Sequence, residues 1–370
     1  MPPRIVHLTY AGTSGATTAA LAIARGSATP ARHAYVFYGV GPLRDDYPAM
    51  LAELGCQWRH APKRAGWDRR GYRAAAEAVV SLSPAVAVMH GSRTLPVLLS
   101  LRRRVGRPLP VIGVQHGPAR EVTEWHRRWV CTWFSRLADA TVTVSQEMAE
   151  LIGSHRRLRR ATEPLRVIPN GQDAGYWSAE PPTIDPSGAV PVGMVATLET
   201  YKDQPTLLRA AADLRATGRD VRLHLVGSGP LEAALRGLAD ELGLTEAVTF
   251  HGTLARDAVR DQMHGWGVYA HAAHCEALPM AVIEAMLSAR PIVAPDAPGL
   301  RRLIAHERTG LLCLPADPAS LAAAVARVID EPAFARRLAS AARQFAREHF
   351  SAERMAGDYE AAADAMLAQA

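Results

Sequence analysis

The sequence predicts an α/β protein made of two doubly wound domains that face each other across a cleft. Three observations carry this. Short apolar strands alternate with amphipathic helices along almost the whole chain, the pattern of parallel sheets covered on both faces. The alternation stops once, at "QDAGYWSAEPPTIDPSGAVP" (172–191), which is rich in Pro and Gly and has no apolar periodicity. The length, 370 residues, exceeds the usual span of one domain.

In the first series the candidate strands are "RIVHLTY", "HAYVFYG", "AVAVMHG", "PVIGVQHG", "ATVTVS" and "LRVIPNG", with helical patterns between them at 15–25 and 72–81. The second series runs "VPVGMVAT", "VRLHLVGSG", "AVTFHG", "GVYAHA", "RPIVAPD" and "GLLCLP", with helices such as "QPTLLRAAADLRATG" and "LEAALRGLADELG". The expected division is a first domain over 1–172, a linker over 173–191 and a second domain over 192–351. The stretch 334–370 is helical and Ala-rich, and its last part, about 352–370, is a candidate to pack back on the first domain. In doubly wound sheets ligands bind at the carboxyl ends of the strands, so the cleft is the expected site. Asn170, Gly171 and Asp173 read as residues that shape the turn into the linker.

Charge divides the same way. Residues 1–175 hold 24 Lys and Arg against 12 Asp and Glu, whereas 176–370 hold 18 against 24. The basic half suits phosphates or an anionic membrane surface. It lacks the interleaved aromatic and basic residues of single-strand nucleic-acid readers, so no nucleic-acid partner is expected. The apolar runs are strand-sized and the N-terminus has no long apolar region. Four scattered cysteines without a C-x-x-C pair read as free thiols in a reducing compartment. The expected location is the cytoplasm, with peripheral contact at the inner face of the membrane as an extension.

Chemistry concentrates in "HCEALPMAVIEAM" (274–286), where Pro279 separates Glu276 from Glu284. Proline suits a helix's first turn, so Glu276 belongs to the loop after "GVYAHA" and Glu284 to the second helical turn. The N–H groups of 277–280, around Leu278, Pro279 and Met280, would then offer an anion site at the helix start. Of 42 cationic residues only Lys63 and Lys202 are lysine. Lys202 follows the first strand of the second domain, where a compact ammonium suits a diphosphate. Gly227 and Gly229 open the next strand-to-helix turn and let backbone approach a ligand. The third glycine of a dinucleotide fingerprint is missing there, as it is from "AGTSGATTAA".

Together "VIPNGQD", "VGMVATLETYKDQPTLLRA", "LHLVGSGPLEAALRGLADELGLTEAVTFHG", "HCEALPMAVIEAMLSARPIVAPDAPG" and "RTGLL" resemble, in order and spacing, the retaining GT-B glycosyltransferases of family 4. The resemblance implies two facing Rossmann-like domains, the first on the acceptor side and the second holding a sugar nucleotide. It implies that Glu284 accepts hydrogen bonds from the ribose hydroxyls and Glu276 contacts the transferred sugar. Lys202 would steady the diphosphate, Gly15 would approach the donor phosphates and His116 would lie near sugar and acceptor. Gly229, Thr197 and the helix start Leu278–Met280 complete the expected donor set, and His90 and Gly12 are candidates on the acceptor or donor side.

The implied reaction moves a sugar from a nucleotide diphosphate sugar to a hydroxyl of a glycan, a lipid-linked intermediate or a small molecule, with retention of configuration. It needs no metal and no cofactor beyond the co-substrate, whose base, UDP or GDP, is open. Two departures stand out. Thr197 occupies the place of the family's usual arginine, five positions before the lysine, and Ala277 replaces its glycine after the first glutamate. The first makes a catalytically silent binding subunit an alternative, and a GT-B epimerase is another. "HAAHCE" (271–276) superficially offers metal ligands, but an extended segment would point His271 and His274 opposite ways. "GSG" at 227–229 is not a hydrolase nucleophile elbow.

Overall fold

The computed structural model describes residues 4–12, 14–106, 108–117 and 124–369. The chain forms two compact units, one running up to Asp173 and resuming at Phe350, the other spanning Ala174–His349.

The first unit holds one all-parallel sheet of seven strands: β1 (Ile5–Tyr10), β2 (His33–Gly39), β3 (Gln57–Pro62), β4 (Val86–His90), β5 (Val111–Gln115), β6 (Ala140–Thr143) and β7 (Leu165–Val167), in the order β3-β2-β1-β4-β5-β6-β7. Strands β2, β4 and β5 are buried throughout, as near-continuous apolar runs covered on both faces must be. Strand β3 is not among the strands anticipated from sequence. It is an edge strand with two exposed positions on its polar face, and "QWRHAP" therefore lacks the apolar run that marks its neighbours. The helix Gly15–Gly26 starts at Ser14, whose hydroxyl accepts the Thr17 N–H at 3.1 Å.

The second unit holds a six-stranded parallel sheet: β8 (Val190–Val195), β9 (Val221–Val226), β10 (Val248–Gly252), β11 (Val268–Ala270), β12 (Ile292–Pro295) and β13 (Leu311–Cys313), in the order β10-β9-β8-β11-β12-β13. Its core gathers Leu207, Leu208, Leu223, Leu225, Val293 and Leu338. Each sheet reverses its winding at one place, between β1 and β4 and between β8 and β11. Those are the switch points where such sheets bind ligands.

One boundary differs from the sequence reading. Residues 174–191, expected as linker, pack into the second unit. Trp177 is fully buried there, the Arg343 guanidinium donates to the Ala179 carbonyl at 2.7 Å and the buried Arg290 donates to the Glu180 carbonyl. A segment without periodicity is thus held by arginine–carbonyl bonds and one large aromatic anchor. The C-terminal helical stretch is two helices, Pro332–His349 in the second unit and Ala352–Leu367 in the first. The latter lies against Gly26, where an added Cβ would stand 2.1 Å from the Ala352 carbonyl. Among the described residues no helix is long and apolar enough to cross a membrane.

Candidate functional site

In the second unit the loops after β8 and β11, adjacent parallel strands, converge on Glu276. The chain leaves β8 through Leu198 and makes a single 3-10 turn, Thr200–Lys202, that delivers Lys202 just before the helix Gln204–Ala216. The chain leaving β11 carries His271 to Glu276 and enters the helix Met280–Leu287, with Pro279 as its N-cap. The two loops are tied by the His274 N–H donating to the Tyr201 carbonyl at 2.9 Å.

The Lys202 ammonium donates to Glu276 Oε1. His271 Nε2 meets the same oxygen at 3.0 Å, and Tyr269 Oη lies 3.3 Å from His271 Nδ1. All four groups are largely withdrawn from water, with Lys202 and Glu276 side chains only 12% and 9% exposed and both rings buried. Burial pushes the Glu276 carboxyl up, but the His271 hydrogen bond and the Lys202 charge together hold it below the ordinary carboxylate value. His271 is held below its usual value, chiefly by burial. A neutral His271 that donates from Nε2 to the carboxylate has a bare Nδ1, which the Tyr269 hydroxyl can satisfy. The Tyr269 phenol is raised mainly by burial and further by the Glu284 and Glu276 charges.

Glu276 stands where it does because Gly299 lets it. The Glu276 N–H donates to the Pro298 carbonyl at 2.9 Å, and a Cβ at Gly299, with φ +82°, would fall 2.2 Å from the Glu276 carbonyl oxygen. Glu284 is buried within the helix Met280–Leu287. At the start of that helix no backbone acceptor among the described residues meets the N–H groups of Ala277, Leu278 or Met280. These are the orphan donors of a helix start, a suitable seat for an anion.

The glycines of "GSG" have a packing role in the structure. Cβ atoms at Gly227 and Gly229 would lie 2.0 Å from the Ala196 carbonyl oxygen and 2.4 Å from that of Leu198. What their missing side chains admit is the backbone of the loop after β8. Thr197 in that loop is exposed, and its carbonyl accepts from Gln204 Nε2 at 2.9 Å. His274 is turned away from His271, half-exposed and 3.9 Å from Asp203. Among the described residues no group of three or more His, Cys, Asp or Glu side chains is arranged to hold a metal ion.

In the first unit Gly15 opens the helix after β1 and is exposed, and Gly12 lies in the turn before it, where a Cβ would meet nothing within 4 Å. His90 ends β4 and His116 follows β5, with His90 Nδ1 and His116 Nε2 3.0 Å apart. Both His90 nitrogens are engaged within the sheet, since its other nitrogen, Nε2, meets His7 Nδ1 at 3.0 Å. Sequence reasoning did not single out His7, which is fully buried. Its alternation within an apolar strand was the available signal, since a charged-capable residue on a covered face needs a partner.

The chain matches two family models. The description "Glycosyltransferase Family 4" covers residues 13–176 and "Glycosyl transferases group 1" covers 186–345. Among curated relatives, the glycogen synthase of Mycobacterium tuberculosis is 31% identical over 58% of this chain and 51% of its own. The 2-deoxystreptamine glucosyltransferase of Streptomyces kanamyceticus is 27% identical over 61% of this chain and 60% of its own. The match thus spans between half and three-fifths of these relatives. In fold, the chain is similar to Anabaena Alr3699/HepE in complex with UDP-glucose, at 20% identity over 100% of both chains with a TM-score of 0.79. The sucrose-phosphate synthase of Thermosynechococcus elongatus gives 20%, full coverage of both chains and 0.81. With one family model on each unit, and the two parallel sheets those folds share, the chain belongs to the group 1 GT-B glycosyltransferases.

Proposed function

We propose that this chain transfers a sugar from a nucleotide diphosphate sugar to an acceptor hydroxyl, with retention of configuration and without a metal. The observation that carries the reading is the Lys202–Glu276–His271 cluster at the carboxyl ends of β8 and β11. Breaking a sugar–phosphate bond needs positive charge on the departing diphosphate. Lys202 supplies one cation, and the free N–H groups at the start of the helix Met280–Leu287 add their dipoles. When the donor arrives Lys202 turns from Glu276 to the diphosphate, and the His271 hydrogen bond keeps the carboxylate satisfied for contact with the sugar. Glu284 takes the ribose hydroxyls, and Gly15 and His116 serve the donor phosphates and the sugar from the first unit.

A panel of UDP- and GDP-sugars tested by thermal shift checks the donor claim, with UDP-glucose, the ligand of the Anabaena relative, as the first member. A ligand that binds only the folded chain raises stability roughly as RT ln(1 + [L]/Kd). The true donor should shift wild type and shift Glu284→Ala far less. An equal shift in the variant would remove Glu284 from the ribose. Product anomers analysed by NMR then test retention.

One departure favours a second reading. Thr197 leaves the diphosphate site short of the family's usual arginine, as a silent binding subunit would be; donor binding without transfer to any acceptor would support that reading.

The acceptor side is the basic first unit, and the reading extends to an anionic, membrane-surface acceptor reached from the cytoplasm. Its support is the helix Trp125–Leu137, on which Trp125, Trp129 and Trp133 recur every fourth residue and are 76%, 59% and 42% exposed, beside Arg127, Arg128 and Arg136. Exposed Trp beside Arg suits the interfacial layer of an anionic bilayer. Sedimentation with phosphatidylglycerol vesicles should show binding that weakens with salt; salt-indifferent binding or none would count against it.

A further inference from the structure

Four histidines cross the centre of the first unit's sheet in one hydrogen-bonded line. Glu360, on the helix Ala352–Leu367, lies 3.0 Å from His33 Nε2. His33 Nδ1 lies 2.9 Å from His7 Nε2, His7 Nδ1 lies 3.0 Å from His90 Nε2, and His90 Nδ1 lies 3.0 Å from His116 Nε2. The line follows the strand order β2, β1, β4, β5. His7 and His33 are fully buried and His90 nearly so. Tyr35 stacks on His7 at 5.0 Å, and Tyr359 lies 6.5 and 6.2 Å from His7 and His90, closing the line off from water. The last nitrogen, His116 Nδ1, is buried and has no partner among the described residues.

Counting protons gives the line a direction. A neutral imidazole carries one N–H and one bare nitrogen. Burial holds His7 and His90 well below the ordinary histidine value and His116 at about 4, so these three are neutral near pH 7. Glu360 also accepts from the Ser27 hydroxyl at 2.5 Å, and the His33 hydrogen bond lowers its carboxyl, so it is an anion. An anion can only accept. His33 therefore presents Nε2–H to it, and with a single N–H on this ring, as on the other three, a bare Nδ1 faces His7. The same constraint passes ring by ring, and His116 ends with Nε2–H facing His90 and a bare Nδ1.

We propose that Glu360, acting through His33, His7 and His90, fixes the tautomer of His116 so that its buried Nδ1 is held as a hydrogen-bond acceptor for a hydroxyl group of the bound substrate. Glu360 and the three intervening histidines are positioning residues. No charge enters the sheet, because the carboxylate's preference travels as proton placement. An unpaired buried acceptor is costly in the empty protein, and a hydroxyl donor is the simplest group that removes the cost. The substrate half of the proposal rests on the transferase reading; the tautomer half does not.

The test uses the full chain labelled with 15N-histidine and long-range 1H–15N correlation spectra, which report each ring's tautomer without any ligand. In wild type His116 should show a single form, protonated at Nε2. In Glu360→Ala, and in His7→Phe, which cuts the line where His116 is not touched, His116 should become a mixture of both tautomers. An unchanged Nε2–H form in both variants would overturn the relay. If Phe at position 7 fails to fold, the Glu360 variant alone decides, since that carboxylate is one-fifth exposed. With donor and acceptor at hand, both variants should also raise KM for the substrate that offers the hydroxyl by about tenfold, the worth of one hydrogen bond, with a smaller change in kcat. Mixed tautomers with an unchanged KM would refute the substrate half alone. Absence of donor binding to wild type would refute the transferase reading and leave the tautomer result standing.

Discussion

Each unit brings histidine and a glutamate together at its parallel sheet, yet the two arrangements solve different problems. In the second unit the carboxylate of Glu276 is central, touched at once by the Lys202 ammonium and by His271. In the first, the carboxylate of Glu360 is terminal, and three imidazoles separate it from His116. The charged cluster holds a cation paired with its carboxylate. In the histidine line His7, His90 and His116 are neutral near pH 7 and can act only by orienting a proton. Charge and proton placement are two ways to give a buried site polarity, and they respond to different perturbations.

Acid separates them most strongly. His7, His90 and His116 have folded-state values below the ordinary 6.5. Below that pH the unfolded chain binds protons that these rings refuse, so their share of stability is intact above about pH 6.5 and declines as pH falls toward their folded values. Each ring forgoes at most about 1.4 kcal/mol per pH unit, so by pH 5.5 the three could cost the first unit up to about 4 kcal/mol. Glu276 has the opposite charge type but the same sign. Its value is depressed, so its contribution persists above about 4.5 and is lost only as pH falls through the lower folded value. His271 titrates in the histidine window too, as do the partly exposed His224, His251 and His264. Fewer rings there are fully withdrawn from water, so the second unit should lose less. Amide exchange between pH 7 and 5.5 should therefore expose β1, β2 and β4 before β8 and β11. Equal loss in both units, or earlier loss in the second, would break the comparison.

The next effect is specific to the charged cluster. Lys202→Met keeps the apolar stem and removes the ammonium, and should lower kcat by about 10²- to 10³-fold, the scale of losing one preorganised charge contact to a transition state. Folding should suffer less, because Glu276 keeps His271. Combining it with Glu276→Gln should cost less stability than the sum of the two single changes, as expected for groups in contact. Additivity in urea denaturation would mean the ion pair contributes nothing to the fold.

How much of this was legible in the sequence follows from where each part is encoded. The strands buried on both faces announce themselves as apolar runs, and the motif spacing places Lys202 and Glu276 after strand ends and Glu284 on the helix that follows. Strand β3 was hidden because an edge strand with a polar face has no apolar run. The "linker" was misread because its anchors, Arg290 and Arg343, lie more than 100 residues away in the chain. The histidine line was hidden for a related reason. His7, His33, His90 and His116 are each one ordinary residue of a strand or its end, and only the β2-β1-β4-β5 order makes them neighbours. Even so, a histidine in or just after each of four covered strands was a signal, since each needed a buried partner.

The smallest expected effect tests whether the charged cluster is complete. Thr197 stands where the family usually carries arginine, and it is exposed, so a longer side chain has room. Its carbonyl is held by Gln204, a backbone bond that substitution of the side chain preserves. Thr197→Arg adds a second cation on the loop that carries Lys202. A partly exposed charge contact is worth about 0.5–1 kcal/mol, so donor affinity should rise by roughly two- to fivefold, measured by titration calorimetry and reduced by salt. A matching rise in kcat would show that the transition state, and not the donor alone, uses the added charge. Tighter donor binding with no transfer in either form would favour the silent subunit. No change in affinity at any salt concentration would mean that the diphosphate site is already neutralised, and that Lys202 and the helix start suffice in the second unit as proton placement does in the first.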